Sequence, residues 1–190
     1  MINKDEIDIS AMPTPNPNAI KFLLNLKILE RSSITFDKKS EKLNKAPIAK
    51  NLLAIDGLSQ VMIGTNFISI TKENSAGWEN VLEKASTEIK NSLEDADFSI
   101  YQSILVESQE KNSNESDDVK MIKQILDDEI RPAIAQDGGD CQFHSFENGI
   151  LTLELQGACA TCPSSVMTLK MGIESRLKES VPSLEEVIQL

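Results

Sequence analysis

The chain is poor in basic and aromatic residues and has no long apolar run. Lys and Arg total 19 against 30 Asp and Glu, for a net charge of −11. This balance argues against a general binder of the phosphate backbone, because such a protein needs a basic face to release counterions. Aromatic residues make up only 4%, although hydrophobic residues reach 40%, enough for a packed core. No apolar run approaches the ~20 residues of a membrane-spanning helix. We therefore expect neither nucleic acid nor a membrane as a partner.

Cysteine is also scarce, and its three positions are uneven. Cys141, Cys159 and Cys162 all lie in the last third of the chain. An odd and sparse count is poor material for a disulfide framework in a chain of this size. The pair at 159 and 162 is close in sequence, so these two thiols are the main candidates for a functional site.

A polar stretch divides the sequence into two parts. From Glu107 to Asp118 there is no apolar residue, so this stretch cannot offset the entropy of ordering by burying surface. Residues 1–106 contain 12 basic and 14 acidic side chains, whereas residues 107–190 contain 7 and 16. The change in charge at a polar seam predicts two domains, 12–106 and 118–190, joined by a flexible linker at 107–117.

Hydrophobic periodicity in the first part predicts a mixture of strands and helices. Pro47 opens a short helix, and a stripe from Trp78 to Leu93 indicates a longer one. The stretch Phe98–Val106 fits either a last strand or an extended exit. The predicted strands lie at Ile20–Leu26, Leu58–Ile63 and Phe67–Thr71, the last two as a hairpin.

The second part predicts the order helix, strand, strand, helix, strand. Its first helix spans Val119–Ile134, and Pro132 should kink or end it. Asn148-Gly149 is a strong hairpin signal between the two central strands. The other predicted elements are a turn at Asp137–Asp140, strands at Cys141–Phe146, Ile150–Gln156 and Glu186–Leu190, and a helix from Pro163. Both parts are therefore predicted to be small α+β domains.

The segment around Cys159 and Cys162 joins a strand to a helix. Pro163 at the first helical position would put Cys162 at or beside the N-cap, where free N–H groups and the helix dipole favour negative charge. We therefore expect both thiols to ionise more readily than an ordinary cysteine. Thiolate is the form that binds metals or attacks disulfides.

Four interpretations of this pair compete on the residues alone. It could be a thiol–disulfide redox pair, half of a zinc site, half of an iron–sulfur site or an inert buried pair. Two cysteines cannot complete a site of four thiolates, so either metal site predicts a symmetric dimer.

Other residues that could act at a site have simpler explanations. We interpret Cys141 as a buried strand residue and His144 as a solvent-exposed one. Asp137 and Asp140 are expected to cap the turn made by Gly138 and Gly139.

The sequence resembles the Nfu family of iron–sulfur carriers, which are related to the C-terminal domain of NifU scaffolds. In the second part the resemblance covers nearly all of 118–190 and rests on Ile130–Pro132, Asp137–Asp140, Gly157–Ser165 and the Leu169–Ile173 helix. In the first part it rests on Thr14–Asn18, Lys21-Phe22, Ala54–Gly57 and Phe67–Lys72. Cys141 departs from the family, in which that strand position is more often aliphatic.

The resemblance implies a Nfu-type N-terminal domain at 12–106 and a NifU-like cluster-binding domain at 118–190. It further implies a non-enzymatic carrier of a [4Fe-4S] cluster, which is bound between two subunits by Cys159 and Cys162 of each. The implied partners are a second copy of the chain, apo iron–sulfur client proteins and an upstream cluster-assembly scaffold. A thiol–disulfide oxidoreductase using the same two cysteines is the alternative function.

The first ten residues bear on location. They contain neither a continuous apolar stretch nor an arginine, so they resemble neither a secretory signal nor a mitochondrial presequence. We therefore expect a bacterial cytoplasmic protein.

Overall fold

A computed structural model describes residues 6–94, 96–109, 115–160, 162 and 165–190. These residues form two α+β units, each with its own sheet and hydrophobic core, which confirms the predicted fold class. Among the described helices, none combines the length and apolar character needed to cross a membrane.

The first unit is built on a five-stranded antiparallel sheet with the strand order β1-β2-β5-β4-β3. Its elements are β1 (Ile9–Pro13), β2 (Ala19–Leu24), β3 (Ile34–Asp37), α1 (Pro47–Leu53), β4 (Leu58–Ile63), β5 (Phe67–Lys72), α2 (Trp78–Leu93) and α3 (Ser99–Gln109). The predicted hairpin of β4 and β5, the strand β2 and the helices α1 and α2 are thereby confirmed. Strands β1 and β3 were not predicted from the hydrophobic periodicity.

Alternation along the strands gives this sheet two different faces. Successive side chains of a strand point to opposite sides, so Phe22 and its neighbour Lys21 face different surroundings. Phe22, Phe36 and Ile68 are buried in one core with residues of α1, α2 and α3. The helices therefore cover one face, and the other face is turned toward the second unit.

The stretch Phe98–Val106 is neither a strand nor an extended exit, because α3 occupies Ser99–Gln109. Tyr101, Ile104 and Leu105 recur at helical spacing and are all buried. The Tyr101 hydroxyl accepts a hydrogen bond from the Ile48 N–H at 2.9 Å, at the first turn of α1. The helix also includes the first three residues of the predicted linker, 107–109. Residues 110–114 of that linker lie outside the described residues, so the linker stays a prediction.

The second unit has a three-stranded sheet with the order β6-β7-β8, in which β6 and β7 are antiparallel and β7 and β8 parallel. Its elements are α4 (Asp117–Ile125), a π-helical segment (Leu126–Ile130), α5 (Arg131–Gln136), β6 (Gly139–Glu147), β7 (Ile150–Gly157), α6 (Ser165–Lys178) and β8 (Glu186–Gln189). Asn148 and Gly149 both have positive φ, at 51° and 77°, as the two central residues of a type I′ hairpin require. The predicted order of elements is confirmed.

Pro132 does not end its helix. It stands in the first turn of α5, directly after the π-helical segment. A proline inside a helix lacks the N–H for the carbonyl four residues earlier and its ring crowds that carbonyl. The wider π turn before it accommodates the ring, so the helical path continues to Gln136.

Candidate metal centre

Cys159 and Cys162 lie in the connection between β7 and α6. Strand β7 ends at Gly157, whose φ of +61° turns the chain into residues 158–160. Both cysteines are free thiols and are buried, with 5% of Cys159 and 1% of Cys162 exposed. Helix α6 begins at Ser165, three residues after Cys162. The prediction that Pro163 occupies the first helical position lies outside the described residues.

Gly139 makes room for the thiol of Cys159. It begins β6 and pairs directly with Gly157 at the end of β7. A Cβ atom built on Gly139 would overlap Cys159 Sγ, so no other residue fits without a shift of the turn. Of the two glycines in the predicted turn, Gly138 has the positive φ, at +73°, whereas Gly139 is needed for space. The two glycines thus serve different purposes.

Electrostatics oppose ionisation of Cys159. Burial raises the pKa of its thiol from 9.0 to about 12, and the charges of Asp137, Cys162 and Asp140 act in the same direction. The prediction that this thiol ionises more readily than an ordinary cysteine is therefore wrong. The thiol packs in the core of the second unit rather than at a solvated helix start, so desolvation outweighs any effect of the helix dipole.

Cys141 is completely buried in β6, and His144 further along the same strand is exposed, as predicted for both. Burial, and secondarily the charge of Asp140, raise the pKa of the Cys141 thiol to about 12, while Arg131 opposes this rise. The negative charge of Cys159 contributes to the same rise, so the two thiols lie within electrostatic reach of each other.

Asp140 is the centre of a buried ionic cluster that sequence reasoning missed. Its carboxylate accepts hydrogen bonds from Arg131 Nε at 2.8 Å and Nη2 at 2.6 Å, from the Cys141 N–H at 2.8 Å and from the Ser33 hydroxyl. The expectation that Asp140 caps a turn is therefore wrong, because its oxygens bind Arg131 across the start of β6. The signal in the sequence was Arg131, next to Pro132, with an aspartate nine residues later.

Few side chains in this region could hold a metal. Within the described ranges, no group of three or more His, Cys, Asp or Glu side chains is arranged to bind a metal ion. The soft thiols of Cys159 and Cys162 suit iron or zinc, whereas the carboxylates of Asp137 and Asp140 suit harder ions. The described part of the chain thus offers a pair of thiols close in sequence as its candidate metal ligands.

The two units correspond to two known family models. The model "Scaffold protein Nfu/NifU N terminal" matches residues 9–96, and the model "NifU-like domain" matches residues 122–188. A two-domain scaffold of the NifU type is thus the class that fold and site define. The chain belongs to the Nfu family of iron–sulfur cluster scaffold proteins.

Two relatives named as iron–sulfur cluster scaffold homologues match almost the whole chain. The protein named "NFU1 iron-sulfur cluster scaffold homolog, mitochondrial" from Homo sapiens is 38% identical over 96% of the chain and 71% of its own length. The protein of the same name from Drosophila persimilis is 35% identical over 100% of the chain and 67% of its own length. A solution NMR structure of a NifU-like protein from Saccharomyces cerevisiae is 28% identical, with a TM-score of 0.43 over 46% of this chain and 78% of that one.

These relatives contradict one expectation. Their printed names place the human and Drosophila proteins in mitochondria. The expectation of a bacterial cytoplasmic protein, which rested on the composition of the first ten residues, is therefore wrong. The chain spans about two thirds of the length of these relatives.

Proposed function

We propose that this protein carries a [4Fe-4S] cluster as cargo between two copies of the chain and delivers it to apo iron–sulfur client proteins. Cys159 and Cys162 of each copy supply the four thiolates that a cubane cluster takes. The observation that supports this proposal is the incomplete ligand set: two cysteines share one turn, and the described residues offer no third ligand grouped with them. A second subunit completes the set by symmetry.

Splitting the ligands between two chains suits delivery. When the subunits separate, each retains only half of the coordination, so the cluster becomes available to client thiolates at once. The turn contains Gly157, Ala158 and Ala160, which are small enough for another backbone to approach; in this structure Met62 and Asn16 of the first unit contact Gly157 and Ala158. An upstream scaffold is the proposed source of the cluster, and the reaction needs no general acid or base.

Loading the cluster must displace protons from the thiols. Metal ligation requires thiolates, and the pKa of Cys159 is raised to about 12. Cluster affinity should therefore increase as the pH rises and decrease as it falls. Because the proton of Cys159 must leave before iron binds, its raised pKa lowers the affinity for the cluster at neutral pH, which favours release.

The two domains and the segment that connects them have separate roles in this proposal. A Nfu-type domain at 12–106 and a cluster-binding domain at 118–190 are joined by the linker predicted at 107–117, of which residues 107–109 belong to α3 and Asp117 begins α4. The linker would let two cluster-binding domains meet while the N-terminal domains stay apart.

Anaerobic reconstitution with iron and sulfide tests the proposal. We expect a coloured dimer with iron and sulfide each approaching about four per dimer, and a Mössbauer spectrum typical of a [4Fe-4S] cluster. A loaded monomer would contradict ligand sharing. A colourless product that reduces insulin would favour the thiol–disulfide oxidoreductase, and about one zinc per dimer would indicate a structural zinc site.

A further inference from the structure

Four residues form a continuous row across the outer face of the N-terminal sheet. Lys21 of β2 pairs with Ser69 of β5, Ser69 pairs with Met62 of β4, and Met62 pairs with Thr35 of β3. Their neighbours along each strand are buried in the core beneath the helices, so these four side chains point the other way. We call these four residues the docking row.

The two ends of the docking row donate hydrogen bonds to the second unit. Lys21 Nζ donates to the carbonyl of Ala135 at 2.8 Å, at the end of α5. Thr35 Oγ1 donates to Gln156 Oε1 at 3.0 Å, near the end of β7. We call the described residues 157–160 and 162 the cysteine turn. The row is therefore held at one end by α5 and at the other by β7, the strand that leads into the cysteine turn.

The centre of the docking row packs against glycines of the second unit. A Cβ atom on Gly157 would lie 2.6 Å from Met62 Sδ, and one on Gly138 would lie 3.1 Å from Ser69 Oγ. Such close approach is possible only because glycine has no side chain at these positions. Gly157 is also the residue at which β7 turns toward Cys159.

Two further hydrogen bonds from the first unit flank the thiols. Asn16 Nδ2 donates to the carbonyl of Ala158 at 2.9 Å, and the Ser33 hydroxyl donates to Asp140. Both donors are buried, with 1% of Asn16 and 3% of Ser33 exposed. Ala158 directly precedes Cys159, so the first unit fixes the backbone next to a thiol that points into the core.

We propose that the docking row, Asn16 and Ser33 form an intramolecular binding surface for the cysteine turn, which keeps the thiols of Cys159 and Cys162 buried until the two units separate. A bridging ligand must reach outward to a second subunit, and the docked backbone prevents this. A site that is accessible for only a fraction of the time binds with its affinity reduced by that fraction. The exclusion of a second subunit rests on the proposed cluster bridging, whereas the shielding of the thiols does not.

The surface is suited to release as well as to docking. Its hydrogen bonds end on backbone carbonyls and polar side chains, which water can satisfy after separation. Ser69 Oγ is buried without a hydrogen-bond partner among the described residues, so it gains one when the surface opens to solvent. Polar contacts of this kind are typical of interfaces between domains that move relative to each other.

Two substitutions in the first unit test the proposal in the full chain. Ser33→Asp places a carboxylate against Asp140, and Thr35→Glu places a larger charged side chain against Gln156. Neither changes the second unit. Ser75→Asp is the matched control, because Ser75 is exposed in the loop before α2. Alkylation by iodoacetamide without iron, followed by mass spectrometry, reports each cysteine separately, and small-angle scattering reports whether the units separate.

We expect both interface variants to expand in scattering and to alkylate Cys159 and Cys162 about tenfold faster than the wild type or Ser75→Asp, because alkylation follows the open fraction. Cys141 and Cys159 share the core of the second unit, but Cys141 lies within β6, opposite Leu155 of β7, and makes no part of the turn that Asn16 contacts. Cys141 should therefore keep its wild-type rate, which shows that this unit stays folded. Separation without faster alkylation would overturn the proposal, because the second unit alone would then bury the thiols. A variant that shows neither separation nor faster alkylation would also overturn the proposal, because these contacts would then not hold the units together. The measurement needs no cluster, so failure of the proposed carrier function would not affect it.

Discussion

The first unit packs aliphatic and aromatic side chains between its sheet and helices α1 to α3, whereas the core of the second includes the thiols of Cys141 and Cys159. The second unit also buries the carboxylate of Asp140, paired with Arg131. Burial in the first unit therefore serves mainly stability. In the second it also raises the pKa of the Cys141 and Cys159 thiols, which disfavours their thiolate forms at and beside the candidate metal centre.

Removal of either paired thiol should have the largest effect. Cys159→Ser or Cys162→Ser should abolish cluster binding and cluster-dependent dimerisation and leave the apo fold intact, because each substitution removes one thiolate from each chain and leaves only two of the four in the symmetric dimer. Visible absorption after anaerobic reconstitution and circular dichroism measure the two properties. Cys141→Ala is the control and should retain the cluster; loss of the cluster in that variant would contradict the assignment of two ligands per chain.

Deletion of a core ring should separate the stabilities of the two units. Phe22→Ala should destabilise the first unit by about 3–5 kcal/mol, because it removes a completely buried ring. Trp78, the single tryptophan, lies in α2 and reports urea unfolding of this unit by its fluorescence. Leu177→Ala is the counterpart in the core of the second unit and should move the Trp78 transition less. Equal shifts would mean that the units unfold together.

The buried ion pair should matter more than an exposed one. Arg131→Leu leaves the carboxylate of Asp140 buried without its charged partner, which should cost about 3 kcal/mol of unfolding free energy. Arg176→Leu is the matched control, because Arg176 pairs with Glu129 at the surface, and the urea midpoint should barely change. If both variants unfold at the same urea concentration, the buried cluster does not stabilise the second unit.

Alkaline pH should weaken the second unit through its core thiols. Folding raises the pKa of Cys141 and Cys159 from 9.0 to about 12, so the folded state keeps protons that the unfolded state loses. The stabilisation is therefore complete below pH 9 and declines as the pH rises toward 12, by at most about 1.4 kcal/mol per pH unit for each thiol. Urea unfolding at pH 8 and pH 10, followed by circular dichroism, measures the decline. The double variant Cys141→Ala, Cys159→Ala should not show this decline in unfolding free energy. If the free energy of the double variant declines with pH as steeply as that of the wild type, other groups cause the effect.

Local patterns predicted most of the fold because they act within a few residues. Asn148-Gly149 specifies a hairpin by its positive φ values, and the stripe from Trp78 to Leu93 specifies a helix by its period. Helix α3 was missed because Ile100, Tyr101 and Ile104 have side chains that also suit strands. The π-helical segment before Pro132 was missed because it depends on how the whole helix packs.

For the candidate site, the sequence by itself determined which groups are available: two thiols separated by two residues, next to glycine and alanine, in a connection between a strand and a helix. Only the tertiary structure decided the state of those groups. Desolvation depends on every atom packed around a thiol, so the raised pKa of Cys159 cannot be inferred from its neighbours in the chain. The contacts of Asn16 with Ala158 and of Met62 with Gly157 join residues that are far apart in the chain, 142 positions in the first case, and only folding brings them together.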